Sequence, residues 1–178
     1  GNSGGPLLNL RGEVSGVNSA IISPSGASAG IGFAIPSNTV EKVASSLIED
    51  GNYPHPWLGI QAININPNLR KMLERADVNV AVDRGVLIVQ VMNGGPADEA
   101  GLRGGRRQLR IGNMRLPVGG DIIVSINGEE VDRYKDLIAY MESEVEVGDT
   151  VDLTLYRDGN RITREIEVGE RPRRTANR

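Results

Sequence analysis

The sequence has no cysteine, one histidine, few aromatic residues and no long apolar run. Without cysteine there is no disulfide, thiol chemistry or cysteine metal site, although the cellular compartment stays open. No apolar stretch approaches the ~20 residues of a membrane-spanning helix. A net charge of −3 argues against nucleic acid as a partner. We expect no metal and no cofactor.

What is present suits a β-rich protein. A hydrophobic content of 39% can supply a core, and 23 glycines and 9 prolines separate many short apolar runs. At roughly 100–200 residues per domain, 178 residues allow one or two domains.

The first seven residues, Gly-Asn-Ser-Gly-Gly-Pro-Leu, are typical of the sequence around the nucleophilic serine of a serine protease. Ser3 would be that serine. Gly-x-Ser-x-Gly also matches the nucleophile elbow of α/β-hydrolases, but that elbow requires a helix directly after the serine. Two glycines and Pro6 oppose a helix start and favour a strand. A glycine-rich loop that happens to contain a serine is the plain alternative.

The residues that follow predict two strands and a helix. Residues 14–22 and 29–36 are predicted strands around a turn at 23–26. Ser37 is predicted to cap a helix that runs to about Asp50, with Gly51 ending it. One face of this helix is apolar and carries Val40, Val43, Ala44, Leu47 and Ile48.

Three ordered stretches, residues 1–7, 16–22 and 30–37, resemble the HtrA (DegP/DegS-like) trypsin-fold serine proteases. The resemblance implies that residues 1–51 are the C-terminal part of a chymotrypsin-like β-barrel. It makes Ser3 the nucleophile and the N–H groups of Gly1 and Ser3 the oxyanion hole. It implies that a pocket for small apolar substrate side chains is bordered by Ile21, Ile22, Ile31 and Gly32. The triad histidine and aspartate are expected before residue 1, so this chain alone is expected to be inactive.

Residues 52–56 form a proline-rich connector, Asn-Tyr-Pro-His-Pro. Two prolines in five residues favour a stiff, extended chain. His55 is interpreted as an exposed linker residue, because a triad histidine needs a packed cleft and an orienting carboxylate.

A second strand-rich region follows the connector. It has a strand at 85–91, a turn and short helix at 93–102, and hairpin turns at 127–128 and 158–159. Asp132 is predicted to cap a helix. The apolar residues that recur at helical spacing after it are Tyr134, Leu137, Ile138 and Met141.

Residues 57–169 resemble an HtrA-type PDZ domain, a small partly open β-barrel with two helices, through the motifs at 94–102 and 120–128. The fold class is therefore expected to be mainly β. Such domains bind a peptide C-terminus as an added strand, with the carboxylate in a nest of backbone N–H groups. The resemblance places that nest at Trp57, Leu58, Gly59 and Ile60, with the helix at about 133–143 as the opposite wall.

A basic segment, residues 106–118, departs from the simpler PDZ pattern and looks like a β-hairpin that turns at 112–113. The favoured interpretation is a solvated excursion. The alternative is a docking surface for an acidic partner or a neighbouring protease domain. Residues 170–178 are expected to be a disordered tail.

The resemblance implies that the parent protein is an ATP-independent serine endopeptidase of the periplasm or cell envelope. It would degrade unfolded polypeptides, bind peptide C-termini at the PDZ domain and form a homo-trimer or larger assembly. Two alternatives stay open: an isolated peptide-binding module, and a protease-like scaffold without catalysis. An upstream histidine and a separate aspartate would decide for the enzyme.

Overall fold

The computed structural model describes residues 1–22, 31–78, 80–111 and 114–172. The chain divides into two compact units, Gly1–Tyr53 and Pro54–Arg178. None of the helices in the described ranges combines the length and apolarity needed to cross a membrane.

The first unit is a three-stranded antiparallel sheet followed by a helix. Its elements are β1 (Pro6–Leu8), β2 (Val14–Ile22), β3 (Ile31–Pro36) and α1 (Ser37–Asp50). The strand order is β1-β2-β3, with Leu7 opposite Gly16 and Ile21 opposite Gly32. The predicted turn at 23–26 lies outside the described residues.

Helix α1 ends as the sequence predicts but begins differently. Gly51 adopts a left-handed φ of 67° and its N–H donates to the Leu47 carbonyl at 3.1 Å. The prediction that Ser37 caps the helix is wrong, because Ser37 is already its first residue. The cap position belongs to Pro36, which has extended backbone (φ −56°, ψ 145°) and no side-chain acceptor.

The second unit is built on one antiparallel sheet with three helices. Its strands are β4 (Pro56–Trp57), β5 (Ile60–Ile65), β6 (Gly85–Val91), β7 (Arg107–Ile111), β8 (Met114–Val118), β9 (Ile122–Ile126), β10 (Glu129–Glu130), β11 (Thr150–Arg157), β12 (Asn160–Glu167) and β13 (Gly169–Glu170). Its helices are α2 (Pro67–Arg75), α3 (Pro96–Glu99) and α4 (Tyr134–Glu144). The main sheet has the order β12-β11-β9-β6-β5, with β10 paired to β9. The mainly β fold class is confirmed.

Alternating apolar residues of the central strands form the main core. β6 and β9 place Val86, Ile88 and Ile123 fully inside, and α4 covers them with Leu137 and Met141. Since β6 and β9 are flanked by strands on both sides, their side chains are excluded from water more completely than those of β12 at the edge.

Both predicted hairpins are present. Asn127 and Gly128 connect β9 to β10 with φ values of 48° and 88°, and Asp158 and Gly159 connect β11 to β12 with 51° and 84°. Positive φ at both central residues is the signature of the turn type that fits the twist of paired strands.

Helix α4 is not capped by Asp132, contrary to the sequence prediction. Arg133 occupies the cap position, and the Asp132 carboxylate instead accepts from Arg84 at 3.0 Å. The first N–H groups are satisfied by other side chains. Asp136 accepts from the Arg133 N–H at 2.9 Å, and Asn64 of β5 accepts from the Tyr134 N–H at 2.7 Å. This last bond ties α4 to the strand that it faces.

Two features were missed from the sequence. The helix α2 begins after Asn66, whose side chain accepts from the N–H groups of Asn68 and Leu69. The short strands β4 and β13 pair with each other, and the Arg171 N–H donates to the His55 carbonyl at 3.0 Å. Pro56 and Glu170, which the sequence placed in a linker and a disordered tail, are therefore paired residues. Residues 173–178 lie outside the described residues.

The basic segment is a hairpin, as predicted, but it is not a solvated excursion. β7 pairs with β8, with Leu109 opposite Leu116. Val118 is fully buried, and Leu109 and Leu116 pack on a second apolar cluster that includes Leu73 of α2 and Ile122 of β9. The predicted turn at 112–113 lies outside the described residues.

A buried ion pair fixes the loop that leads into this hairpin. Asp121, 1% exposed, accepts from Arg157 Nε at 2.8 Å and Nη2 at 2.7 Å, and from the Arg103 N–H at 2.8 Å. Arg157 also donates to the Gly101 carbonyl at 2.8 Å. Hydrogen bonding to Asp121 raises the pKa of Arg157.

Candidate functional site

Ser3 lies in an exposed turn at the start of the first unit. The Gly5 N–H donates to the Asn2 carbonyl at 3.0 Å, which makes residues 2–5 a β-turn with Gly4 at its third position (φ 84°). The Gly4 N–H donates to the Asn18 carbonyl of β2 at 2.8 Å, so the turn is fixed to the sheet. A strand, not a helix, follows the serine, as the protease interpretation predicts.

The residues expected to border the substrate pocket meet at the far end of β2 and β3. Ile21 pairs with Gly32, and Ile22 pairs with Ile31, so the sheet brings the four together. Ile21 and Ile31 are 63% and 55% exposed. At about 3.3 Å per residue, Ile21 lies ~10 Å along β2 from Asn18, the residue that holds the Ser3 turn.

His55 belongs to the second unit and is half-exposed there. Its Nδ1 lies 3.2 Å from a carboxylate oxygen of Glu142 on α4, and its carbonyl is bound by the Arg171 N–H. The first unit contains no histidine in its sequence. His55 is thus held against α4 by a side-chain contact that the sequence did not indicate.

The four residues of the expected carboxylate site lie at one end of a groove between β5 and α4. The groove encloses about 420 Å³. Strand β5 is the edge strand of the main sheet, with β6 on one side only in the described part of the chain. The lining residues from the loop and strand are Pro56, Trp57, Leu58, Gly59, Ile60, Gln61 and Ala62, and those from elsewhere are Met92, Tyr134, Leu137, Ile138, Met141, Glu142 and Arg171.

Backbone geometry aims two amides of this loop into the groove. The Leu58 carbonyl accepts from the Ala97 N–H at 2.9 Å, and the Gly59 carbonyl accepts from the Met92 N–H at 2.8 Å. The described peptide bonds are trans, so the N–H of each peptide points opposite to its carbonyl. The N–H groups of Gly59 and Ile60 therefore point away from α3 and β6, toward the open edge of β5. Gly59 makes this possible with a φ of 77°.

The walls of the groove are apolar and its rim is charged. Leu58, Ile60, Leu137 and Met141 are all less than 10% exposed and belong to the main core, while Ile138 is 42% exposed at the rim. The sequence could not tell which residues of α4 line the groove, and the structure places four apolar ones there.

Two charged lining residues, Glu142 and Arg171, were missed from the sequence. Glu142 falls on the same helix face as Ile138, four residues earlier, which could have signalled it. Arg171 gave no signal, because its position depends on the pairing of β13 with β4.

Comparison with known proteins matches both units. Residues 1–44 match the trypsin family model and residues 56–168 the PDZ domain model. A probable periplasmic serine endoprotease, DegP-like, from Rhizobium meliloti (strain 1021) is 37% identical over 172 residues. The alignment covers 97% of this chain and 30% of that protein. The chain belongs to the HtrA family. It contains part of a trypsin-type protease domain and a PDZ domain.

Other relatives agree. The periplasmic serine endoprotease DegP of Escherichia coli (strain K12) is 35% identical over 94% of this chain and 31% of its own length. Among solved structures, the HtrA-type protease AlgW with decapeptide has a TM-score of 0.71 and 30% identity. That match covers 97% of this chain and 47% of the AlgW chain. AlgW with tripeptide gives 0.67 and 31%, over 97% of this chain and 50% of that one.

The chain spans about a third of the length of these curated relatives. In the described ranges, no cluster of three or more histidine, aspartate or glutamate side chains could hold a metal ion. The predictions that no metal and no cofactor are used, and the assignment of individual site residues, stay predictions.

Proposed function

We propose that the second unit binds the free C-termini of apolar peptides in the groove between β5 and α4. The observation that carries this proposal is the loop at residues 57–60, whose Gly59 and Ile60 amides point toward the open edge of β5. A peptide added along that edge continues the sheet, and its carboxylate ends at the two amides. Peptides present in the AlgW structures named above support this choice.

The composition of the groove supports an apolar last residue. The walls beside the proposed carboxylate site are formed by Leu58, Ile60, Leu137 and Met141, whose side chains carry no N–H or O–H group. A charged peptide side chain placed there would lose water without gaining a partner, whereas an apolar one gains about 25 cal/mol per Å² buried. The rim, with Gln61, Glu142 and Arg171, would contact residues further from the C-terminus or the surrounding water.

The test compares a fluorescent apolar peptide that ends in a free acid with the same peptide ending in an amide. We expect the acid to bind at least ~10-fold more tightly, about 1.4 kcal/mol, since the amide offers no charge to the backbone N–H groups. Equal affinity for the two peptides would contradict the proposed site.

Gly59→Ala and Gly94→Ala form a matched pair for this test. Both glycines have left-handed backbone, with φ values of 77° and 68°, so both substitutions cost about 1 kcal/mol of backbone strain. A Cβ on Gly59 would lie 3.3 Å from the Trp57 ring and shift the loop, while a Cβ on Gly94 meets nothing within 4 Å. Only Gly59→Ala should weaken acid binding.

We further propose that the parent protein is a serine endopeptidase with Ser3 as its nucleophile. The exposed turn at Ser3, the strand after it and the match to the trypsin model favour this role. The N–H groups of Gly1 and Ser3 would stabilise the oxyanion. The side chains at the end of the β2–β3 hairpin, Ile21 with Ile31, would border a pocket for small apolar substrate residues.

For the whole protein we propose unfolded polypeptides as substrates, as the family resemblance implies. We propose the periplasm or cell envelope as its location, because the DegP relatives are named periplasmic serine endoproteases. The base and the orienting carboxylate for Ser3 would lie in a part of the parent protein outside this chain. That part corresponds to the region of the DegP relatives that the chain does not span. Assembly into a trimer or larger oligomer stays a prediction. The alternatives, an isolated binding module or an inactive scaffold, are not favoured.

A further inference from the structure

The hairpin formed by β7 and β8 carries a concentration of positive charge. Between Arg103 and Val118 the sequence has five arginines and no acidic residue, in a chain whose net charge is −3. Arg103 pairs with Asp158 at 3.6 Å, which leaves four arginines on or beside the hairpin. A solvated loop has no need of this concentration of one charge, because either sign of charge keeps a loop in water.

One side of the hairpin is fixed to the body of the second unit. Val118 is fully buried in the apolar cluster with Leu73 and Ile122, and Leu109 and Leu116 pack against that cluster. Arg107 donates to the Ala76 carbonyl at the end of α2. The β7–β8 hairpin is therefore packed on the body of the second unit, and its outer side is held in a defined orientation.

The other side of the hairpin presents arginines next to one another. Arg110 pairs directly with Arg115 across the two strands, and both are exposed. Side chains alternate along a strand, so this pair lies on the side opposite Leu109 and Leu116. Arg106, exposed immediately before β7, adds a third guanidinium near the base.

Two guanidinium groups on neighbouring strands can be reached by one anionic ligand. A carboxylate-bearing segment that lies across Arg110 and Arg115 would form charge-assisted hydrogen bonds with both.

The β7–β8 hairpin also has an unpaired strand edge, on β7. In the described part of the chain β7 pairs with β8 alone, so its outer edge has no neighbouring strand. An extended polypeptide can add to such an edge by backbone hydrogen bonds. Its alternate side chains, ~7 Å apart, would then fall on the side of the arginines. A lipid surface cannot use backbone groups in this way.

We propose that β7 and β8 form a second polypeptide-binding surface, which takes acidic segments in extended conformation through Arg106, Arg110 and Arg115. The surface shares no residue with the groove between β5 and α4. It goes beyond the proposed function, because it selects internal acidic stretches and needs no free C-terminus. In an envelope protease it would hold a substrate chain at a second point, which raises overall affinity.

The experiment uses the 178-residue chain and a fluorescent peptide of alternating glutamate and threonine, amidated at its C-terminus so that the groove is not tested. Fluorescence anisotropy should show binding at low ionic strength that weakens steeply toward ~0.5 M salt. A peptide with glutamine in place of glutamate should not bind. An unlabelled apolar peptide with a free carboxylate should not compete, whether or not the groove binds it.

The variant Arg110→Gln/Arg115→Gln should bind the acidic peptide at least ~10-fold more weakly, as expected for two charge-assisted contacts. The matched control is Arg161→Gln/Arg164→Gln, which removes two exposed arginines from β12, the edge strand at the other end of the main sheet. This control should change affinity less than about twofold. Unchanged Trp57 fluorescence would show that both variants remain folded.

Three results would overturn the proposal. The first is equal binding of the glutamate and glutamine peptides. The second is an equal loss of affinity in the two double variants, which would mean that only overall charge matters. The third is binding to vesicles of phosphatidylglycerol and phosphatidylcholine with no binding to the acidic peptide, which would assign the arginines to a lipid surface.

Discussion

The two units of this chain are built from similar amphipathic strands and helices, but they bury very different amounts of apolar surface. In the described ranges every buried apolar side chain belongs to the second unit. The first unit leaves Leu10 fully exposed, Ile48 84% exposed and Ile21 63% exposed, and α1 has no buried residue. In the second unit, by contrast, residues such as Val86, Ile88 and Leu137 have no exposed surface.

This difference in burial shows what an amphipathic pattern can predict. The pattern indicates which side of a strand or helix can be buried, but it does not indicate whether another segment covers that side. Both units contain an antiparallel ladder: β2–β3 pairs six residues of each strand with a bulge between Asn18 and Ala20, and β11–β12 pairs eight without interruption. The ladder alone contributes little net stability, because its hydrogen bonds replace bonds to water. Burial of apolar surface contributes more. The second unit should therefore account for most of the stability of the chain.

The largest expected effect is the loss of the whole first unit in limited proteolysis. Thermolysin cleaves before large apolar residues, and the first unit exposes several of them, including Leu10 and Ile48. We expect rapid removal of the chain up to about Tyr53 and a resistant product that begins near Pro54, identified by mass spectrometry. A resistant fragment from the first unit would contradict the conclusion that the second unit accounts for most of the stability.

A smaller effect separates two leucines, one from a helix in each unit. Leu73 in α2 is 1% exposed and Leu47 in α1 is 50% exposed. Leu73→Ala should lower the free energy of unfolding by about 2–5 kcal/mol, because it leaves a cavity in a packed cluster. Leu47→Ala should change it by less than about 0.5 kcal/mol. Urea unfolding followed by far-ultraviolet circular dichroism, to which α1 and α2 both contribute, measures both. Similar losses for the two variants would show that α1 is packed as tightly as α2.

The smallest expected effect concerns Ser3. A serine hydroxyl is a weak nucleophile without a base, and the first unit has no histidine. A fluorophosphonate probe should therefore not label this chain, and Ser3→Ala should change nothing in gel fluorescence. Ser3 of a longer chain that supplies the base should be labelled. Labelling of Ser3 in the 178-residue chain would contradict this prediction and make His55, the one histidine, the first residue to test as a base.

Local sequence signals predicted the elements that depend on neighbouring residues. Asn127-Gly128 and Asp158-Gly159 can adopt positive φ at two successive positions, so the hairpin turns were visible in the sequence. Gly51 marked the end of α1 for the same reason. The loop at residues 57–60 was predicted by resemblance, and the structure places it at the end of a groove.

Features that depend on distant residues were not predicted. Asn64, not Asp132, supports the start of α4, because β5 brings it there from 70 residues away. The packing of Val118 depends on α2, whose Asn66-Pro67 start signal was overlooked. Ile48 lies on the predicted apolar face of α1 and is nevertheless exposed. In each case the sequence indicated a property of one segment, and the outcome was decided by a second segment.

The pairing of β4 with β13 has a mechanical consequence. It places the entry and the exit of the second unit side by side, so a pull on the chain from both ends would load these two strands in an unzipping direction. The pairs Trp57 with Gly169 and Pro56 with Glu170, together with the hydrogen bond from the Arg171 N–H to the His55 carbonyl, would bear that load first. Leu58 and Gly59 follow β4 directly, so the first segment to yield would be the one that leads into the proposed carboxylate site. Tension along the polypeptide would then reduce peptide binding before the core of the unit unfolds.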